Sequence, residues 1–283
     1  MSESRSNSQL YAVMGNPVRH SKSPAIHIEF ARQCGIALEY RAIEVEPGSF
    51  ARAVEEFRAA GGQGLNITVP FKLEAYQLAD ERSARAELAG AVNTLKFESS
   101  GTVYGDNTDG VGLVRDLATN HAIALKGKRV LVLGAGGAVR GILGPLLQQG
   151  IGSVVIANRT VSKATELAHA FAAHGDVNGC GFDVLHGQRF DIVINGTAVS
   201  LRAEVPPLPD ELFAGQAVAY DLMYGDQPMP FMIWAREHSA ARVTDGLGML
   251  VEQAAESFLL WHGVRPQTGP VIEHLRQGAS SGQ

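Results

Sequence analysis

The sequence predicts an α/β protein of two domains, the first built on a mixed sheet and the second on a doubly wound, mostly parallel one. Three observations predict it. Short apolar runs alternate with helix-period segments almost throughout, the pattern of α/β units. In the first third, "AVNTLKFE" and "TVYGD" are joined by the turn "SSG", which has the texture of an antiparallel strand pair. After "LKGK" the pattern resets into "RVLVLGAGG", a very apolar strand that ends in glycines. A chain of 283 residues is long for one small core and suits two, with the break expected near residue 110.

The elements follow in order. "LYAVMG" predicts the first strand, and Ser23-Pro24 opens a helix to about Cys34, serine being an N-cap residue and proline a first-turn residue. "LEYRAIEV" is the second strand, and Pro47 begins a helix that Gly61-Gly62 stops. "GLNITV" is the third, followed by a helix over about 70–80; the antiparallel pair comes next, then a helix near Gly110. Beyond the glycine-ended strand lies a helix over about 138–149, then the strand "SVVIANR" and the helix "TVSKATELAHAFAAH" with Thr160 as N-cap. "FDIVING", "AVAYDLMY" and "ARVTDG" are further strands, "GMLVEQAAESFLLWHG" is a long last helix, and the tail "RQGASSGQ" is expected to be disordered, like the polar start.

Composition excludes several functions. The chain is 45% hydrophobic and 19% charged, as globular enzymes are. A formal net charge of −5, with no run of Lys and Arg, argues against a nucleic-acid partner. Cys34 and Cys180, without CxxC spacing, fit a reducing cytoplasm better than a disulfide framework. "MSESRSNSQ" lacks the apolar segment of a signal peptide. No apolar run approaches the roughly 18 residues that span a membrane. The histidines are scattered, with no HxxxH pair and no Cys/His cluster, so no metal site is expected. A small-molecule substrate remains, and the sequence leaves monomer or homodimer open.

"VLGAGGAVR" follows a strand and opens a helix, the context of a Rossmann-type dinucleotide site. Gly134 and Gly136 allow a sharp turn and close approach to a pyrophosphate, whose charge the helix N-terminus stabilises. The third glycine of GxGxxG is replaced by Val139. At the end of the next strand, an acidic residue would bind the ribose 2′-hydroxyl of NAD. Asn158-Arg159-Thr160 stands there instead, with Lys163 one turn later, and a planar cation suits a 2′-phosphate. The expected cofactor is therefore NADP(H). The plainer alternative is a solvated arginine on a loop.

In the first domain, "GNPVRHSKSP" follows a strand. Helix-start chemistry accounts for Ser23 but not for Ser21, and two hydroxyls at a helix N-terminus could bind a small carboxylate. "NITVPFK" ends in Lys72, and "GDNTDG" places Asp109 on a loop 37 positions later. "AVNT" adds Asn93, a polar residue within an apolar run. Each has an ordinary alternative: a solvated lysine, a helix-capping aspartate, an asparagine bonded to backbone. Together, in a chain with a nicotinamide-type loop, they point to one site that handles a proton. Hydride delivery to a ketone leaves an alkoxide that must be protonated, and a positioned lysine can do this.

The motifs "GNPVRHSKSP", "NITVPFK", "AVNT", "GDNTDG", "GAGGAVR", "NRT" and "DGLGMLVEQAA" occur in an order that resembles the bacterial, biosynthetic, NADP-dependent shikimate dehydrogenase family, from about residue 11 to residue 263. The resemblance implies reversible reduction of 3-dehydroshikimate to shikimate with NADPH, in cytoplasmic aromatic amino acid (chorismate) biosynthesis. It implies Lys72 and Asp109 as the catalytic pair, and Ser21 and Ser23 at the substrate carboxylate. Asn66, Thr68, Asn93, Tyr224 and Gln253 would bind ring hydroxyls. Gly134, Ala135, Gly136, Gly137 and Ala138, with Asn158, Arg159, Thr160 and Lys163, would hold NADP, and Leu222 and Gly246 would lie near the nicotinamide. It further implies a substrate and catalytic domain over 1–110, a Rossmann domain over 111–245, and a C-terminal helical stretch, about 246–283, that rejoins the first domain.

Three departures stand out. Ala198 replaces a common serine, Met229 a common threonine, and Lys163 a common arginine; the last keeps the charge but loses the bidentate fork. A quinate-oxidising or NAD-using paralogue, a non-catalytic metabolite sensor, and a reductase of larger carbonyls are the alternatives. Arg159 weighs against NAD, while only Gln253 and its neighbours could exclude quinate's extra hydroxyl, which the sequence leaves open; the Lys72–Asp109 pair weighs against the sensor and the paired serines against the larger carbonyl.

Overall fold

The computed structural model describes residues 8–197 and 204–280, so the departure at Ala198 lies outside the described residues. The chain forms two compact units, Met1–Asp109 with Val251–Leu275, and Gly110–Leu250 with Arg276–Gln283.

The first unit begins β1 (Gln9–Gly15), α1 (Ser23–Cys34), β2 (Leu38–Glu44), α2 (Phe50–Ala59) and β3 (Gly62–Ile67). It continues α3 (Lys72–Leu78), β4 (Glu81–Arg82), α4 (Ala84–Ala89), β5 (Thr94–Phe97) and β6 (Val103–Asp106). Its sheet runs β2-β1-β3-β5-β6-β4 and is mixed: β1 is parallel to β2 and β3, and β5 is antiparallel to β3 and β6. Both faces of β1 are covered, which is why it reads as a continuous apolar run. Leu10, Ala12 and Met14 enter one cluster with Phe50, Phe57 and Phe71, while Tyr11 and Val13 enter another with Tyr40 and Trp261. Alternation along the strand divides them.

Several boundaries differ from the sequence expectation. Residues 46–49 form a turn closed by Ser49 N–H on Glu46 O, so α2 starts at Phe50 and not at Pro47. A second turn, Phe71 N–H on Thr68 O, ends the strand and delays α3 to Lys72. The strand β4 and the helix α4, whose N-cap Ser83 accepts from Ala86 N–H, are too short for periodicity to reveal.

The second unit takes up α5 (Asp109–Arg115) after its first residue, then a π-helical turn (Asp116–Asn120), β7 (Arg129–Leu133), α6 (Gly137–Leu147), β8 (Ser153–Ala157) and α7 (Val161–Phe171). There follow β9 (Val177–Cys180), β10 (Phe190–Asn195), β11 (Phe213–Asp221), α8 (Pro230–Glu237) and β12 (Arg242–Thr244). All strand pairs are parallel, in the order β12-β11-β10-β7-β8-β9. Numbered within the unit this is 3-2-1-4-5-6 read from the other edge, the doubly wound order of dinucleotide-binding sheets. The strand β9 and the helix α8 were not anticipated. Gly179 hides β9 from a propensity reading, yet a Cβ there would stand 2.4 Å from the Ala164 backbone.

The chain then enters α9 (Leu247–His262), passing from the second unit to the first after Leu250. The expected disordered tail is instead partly α10 (Gly269–Ser280). One deeply buried apolar residue, Val271, anchors it, too sparse a signal for the sequence to show.

Candidate active site and dinucleotide-binding turn

In the first unit the ends of β3 and β6 and the start of β5 bring three predicted residues together. Lys72, the first residue of α3, donates from Nζ to Asp109 Oδ2 at 2.5 Å. Asn93 donates from Nδ2 to Asp109 Oδ1 at 2.8 Å, so both carboxylate oxygens are held. The Asp109 side chain is 9% exposed and that of Lys72 18%, which keeps the ammonium accessible while its partner is buried. Asn93 is itself fixed: its Oδ1 accepts from Thr108 N–H at 2.8 Å, and its Nδ2 also reaches Thr108 Oγ1 and, on α9, Gln253 Oε1. A Lys–Asp pair with one amide directed into it can hold and move a proton.

Asn66 lies deeper than expected for a ligand residue. Its Oδ1 accepts from the Tyr40 hydroxyl at 2.7 Å, and its Nδ2 faces Thr94 Oγ1 and Ser257 Oγ at 3.2 and 3.0 Å. Thr68 sits beyond β3, where its methyl fills the space beside Gly15; a Cβ at Gly15 would lie 2.3 Å from Thr68 Cγ2.

The two serines exchange structural roles relative to the sequence reading. Ser21 Oγ accepts Ser23 N–H at 3.2 Å and supplies the helix-start hydrogen bond. Ser23 is the first helical residue, buried, with its hydroxyl against the Tyr40 phenol. Burial pushes that phenol well above its ordinary value, with the Ser23 bond acting weakly the other way, so Tyr40 stays a donor. The peptide bonds Asn16–Pro17 and Val69–Pro70, in the loops before Ser21 and Lys72, are cis. Tyr40, Thr94, Thr108 and Ser257 were not picked out from sequence; apart from their polar groups inside apolar runs, nothing marks them.

In the second unit, Gly134 follows β7 with φ +101°, a backbone region that favours glycine. A Cβ there would also press on the Gly196 carbonyl at 3.0 Å. Gly136 is the N-cap of α6, no side chain caps the helix, and a Cβ at Gly136 or Gly137 would meet nothing. Ala135 and Ala138 flank this open turn. Free N–H groups at a helix start facing open space fit a pyrophosphate. The missing third glycine has a local explanation: Val139 is buried, and the facing residue is Gly196, where a Cβ would lie 2.5 Å from Val139 Cγ2. The close approach that glycine provides has moved to the neighbouring strand end.

Beyond β8, Arg159, Thr160 and Lys163 are exposed, and neither cation has an ion-pair partner among the described residues. Asn158 Nδ2 donates to Thr160 O at 2.9 Å and shapes the loop. Thr160 occupies the N-cap position of α7, as expected, although its side chain accepts no capping bond. Leu222 and Gly246 are neighbours; a Cβ at Gly246 would lie 2.3 Å from Leu222 O. The buried Asp221 joins the loops after β10 and β11, accepting from Asn195 Nδ2 at 3.0 Å and Met223 N–H at 2.9 Å. Tyr224 is half-buried in the second of these loops, its phenol pushed up by burial. Met229 is the N-cap of α8.

A sheet of this order with an open glycine turn, in a chain that also carries a lysine–carboxylate pair, defines a dinucleotide-dependent oxidoreductase. Comparison with known proteins narrows the class. Residues 13–95 match the family model for the shikimate dehydrogenase substrate binding domain, 116–202 that for shikimate / quinate 5-dehydrogenase, and 246–276 that for the shikimate 5′-dehydrogenase C-terminal domain. The chain is 60% identical over 266 residues to a shikimate dehydrogenase (NADP(+)) of Alkalilimnicola ehrlichii, covering 94% of this chain and 98% of that one. It is similar to the crystal structure of an Ael1 enzyme from Pseudomonas putida, with a TM-score of 0.89, 50% identity, and coverage of 95% and 98% of the two chains. It is also similar to a shikimate 5-dehydrogenase from Thermus thermophilus in complex with NADP(H) and shikimate, at TM-score 0.84, 33% identity, and coverage of 96% and 99%. The chain belongs to the shikimate dehydrogenase family.

Proposed function

We propose that this protein catalyses the reversible, NADPH-dependent reduction of 3-dehydroshikimate to shikimate, a step of cytoplasmic aromatic amino acid (chorismate) biosynthesis. The observation that carries the reading is the Asp109 carboxylate held by Lys72 on one oxygen and Asn93 on the other. The activity named for the Alkalilimnicola ehrlichii relative, and the ligands named for the Thermus thermophilus structure, support it.

In this reading the first unit binds substrate and performs the proton chemistry, and the second holds the cofactor. NADPH, when bound, supplies the hydride. Lys72 Nζ gives a proton to the substrate oxygen as negative charge develops there, and takes it back from the hydroxyl in the reverse direction. Asp109 fixes the ammonium, and Asn93 keeps the carboxylate from turning away. Ser21 and Ser23 hold the substrate carboxylate, while Asn66, Thr68, Asn93, Tyr224 and Gln253 recognise ring hydroxyls. The open N-terminus of α6, from Gly134 to Ala138 in the chain, holds the pyrophosphate. Asn158, Arg159, Thr160 and Lys163 hold the 2′-phosphate, and Leu222 and Gly246 flank the nicotinamide. A small molecule is the only partner this chemistry requires, and it runs equally in a monomer or a homodimer.

Initial rates followed by nicotinamide absorbance, with shikimate or quinate against NADP+ or NAD+, test the reading. Turnover confined to shikimate with NADP+ is expected. Preference for quinate or NAD+ would move the protein to a paralogous activity, and no turnover by folded protein would exclude catalysis of either. Lys72→Ala should retain NADP+ affinity and lose on the order of a thousandfold in turnover; near-normal turnover would remove Lys72 from the mechanism.

A further inference from the structure

We infer that the second unit carries a separate binding site for a small organic anion, a carboxylate or phosphate head on an apolar body. A cavity of about 490 Å³ lies against β11, β12 and α8, with His121, Arg236, Arg242, Asp245 and Arg276 in its lining. That volume lies in the range of small-molecule sites. Its residues do not overlap the glycine turn or the Asn158–Lys163 loop.

The charge of the lining is one-sided. Three arginines and a single carboxylate, Asp245, line the cavity, and that carboxylate is already engaged. Arg276 donates to Asp245 Oδ1 at 2.8 Å, and the same oxygen accepts Leu247 N–H at the start of α9. Arg242 uses one nitrogen, on His121 O at 2.9 Å. Arg236, in the last turn of α8, has no side-chain hydrogen bond or ion pair among the described residues. A guanidinium offers five N–H donors in a planar fork, so two of these three are largely unspent, and the complementary groups are carboxylates and phosphates.

The remaining lining sets the rest of the ligand. Ile123, Val218, Met232 and Val243 are apolar and suit a nonpolar body rather than a bare inorganic ion. Thr244 Oγ1 lies 3.2 Å from His121 Nε2 and adds a polar contact at one wall. That wall is shaped by the π-helical turn Asp116–Asn120, which delivers His121 to the cavity; such turns recur at functional sites.

The test uses the full chain saturated with NADP+, which occupies the dinucleotide's own anion contacts, titrated calorimetrically with phenyl phosphate, benzoate and inorganic phosphate. Phenyl phosphate or benzoate should bind with a Kd at or below about 1 mM, and the tighter of the two identifies the head group. Inorganic phosphate should bind at least about tenfold more weakly, because it lacks the apolar body. Arg236→Gln and Arg242→Gln should each weaken binding several-fold, and the double variant should abolish it with kcat/KM unchanged. Three results would overturn the site: no binding by any probe, inorganic phosphate binding as tightly as phenyl phosphate, or binding that survives in the double variant. Competition of the bound probe by shikimate would overturn it as well.

Discussion

Tyr40 ties two of the proposed substrate residues together. Its hydroxyl donates to Asn66 Oδ1 and meets Ser23, while the His27 ring lies flat against it at 4.4 Å with an interplanar angle of 5°. Because the phenol claims Asn66 Oδ1, the amide nitrogen must face Thr94 and Ser257. Tyr40→Phe should therefore raise KM for shikimate roughly five- to thirtyfold, the worth of about 1–2 kcal/mol for a buried hydrogen bond, leaving KM for NADP+ unchanged. Equal shikimate KM values in the two proteins would show that Tyr40 only packs. His27 offers a second prediction. It is fully buried, neither ring nitrogen has a hydrogen-bond partner, and Asn66, though near, turns its amide elsewhere. Burial, reinforced by His262, pushes its pKa from 6.5 to about 3, and burial lowers His262 to about 4. Both rings are thus neutral when folded and protonate readily when unfolded. The stabilising effect is intact above pH 6.5 and erodes as pH falls from there toward these folded values, by roughly 1 kcal/mol per pH unit for the fully buried His27 and by less for the half-buried, solvent-screened His262. Urea unfolding at a series of pH values should show this slope, and His27→Leu should lose one proton's share; an unchanged slope would refute the assignment. At this scale Lys72, Asp109 and Asn93 were legible because charged and amide groups at strand ends stand out against apolar runs. Tyr40 and His27 were not, since an aromatic ring in a strand or on an apolar helix face looks the same whether it packs or positions.

Among the elements, the long and strongly periodic ones announced themselves. The strands β1, β7, β8 and β10 did so because both faces are buried, α1 because Ser23-Pro24 marks its start, and α9 because of its length. What escaped was short or interrupted: β4 and α4 by length, β9 by Gly179, and α10 by having one deeply buried anchor. Gly64 shows what such interruptions do. It lies in β3, and a Cβ there would stand 2.5 Å from Trp261 Nε1 and 2.8 Å from Leu95 O. The indole meanwhile donates to Leu95 O at 3.0 Å and stacks on Tyr11 with ring centroids 4.5 Å apart. Gly64→Ala should therefore push α9 off the sheet and cost roughly 1–3 kcal/mol, as overpacking does. A denaturation midpoint equal to that of the wild type would show that the helix has slack. The same reasoning explains the imperfect glycine motif, since Val139 is tolerated where Gly196 faces it.

At the scale of the whole molecule, neither unit is one continuous stretch of chain. Residues 251–275 return to complete the first, and they bring Gln253, Ser257 and Trp261 into contact with Asn93, Asn66 and Leu95. An ion network closes over the same join. Arg85 binds the buried Asp106 with two nitrogens and reaches Glu256 at 3.2 Å, and Arg265 bridges Glu256 and Glu252. A chain stopped after Leu250 should keep NADP+ binding in the second unit and lose amide protection in β1 and β3. Protected amides there would show that the first sheet stands without α9. No local pattern could reveal this return, because it depends on contacts between residues well over a hundred positions apart. It also carries a consequence for synthesis on the ribosome. The first 109 residues emerge earliest, yet their sheet lacks its closing helix until translation has passed residue 275. Residues 110–250 are already out by then. Most of the later-made unit is therefore out before α9 can close the earlier-made sheet, which should delay the first unit and work against the usual amino-terminus-first order of domain folding; NADP+ bound to the second unit would favour its folding first.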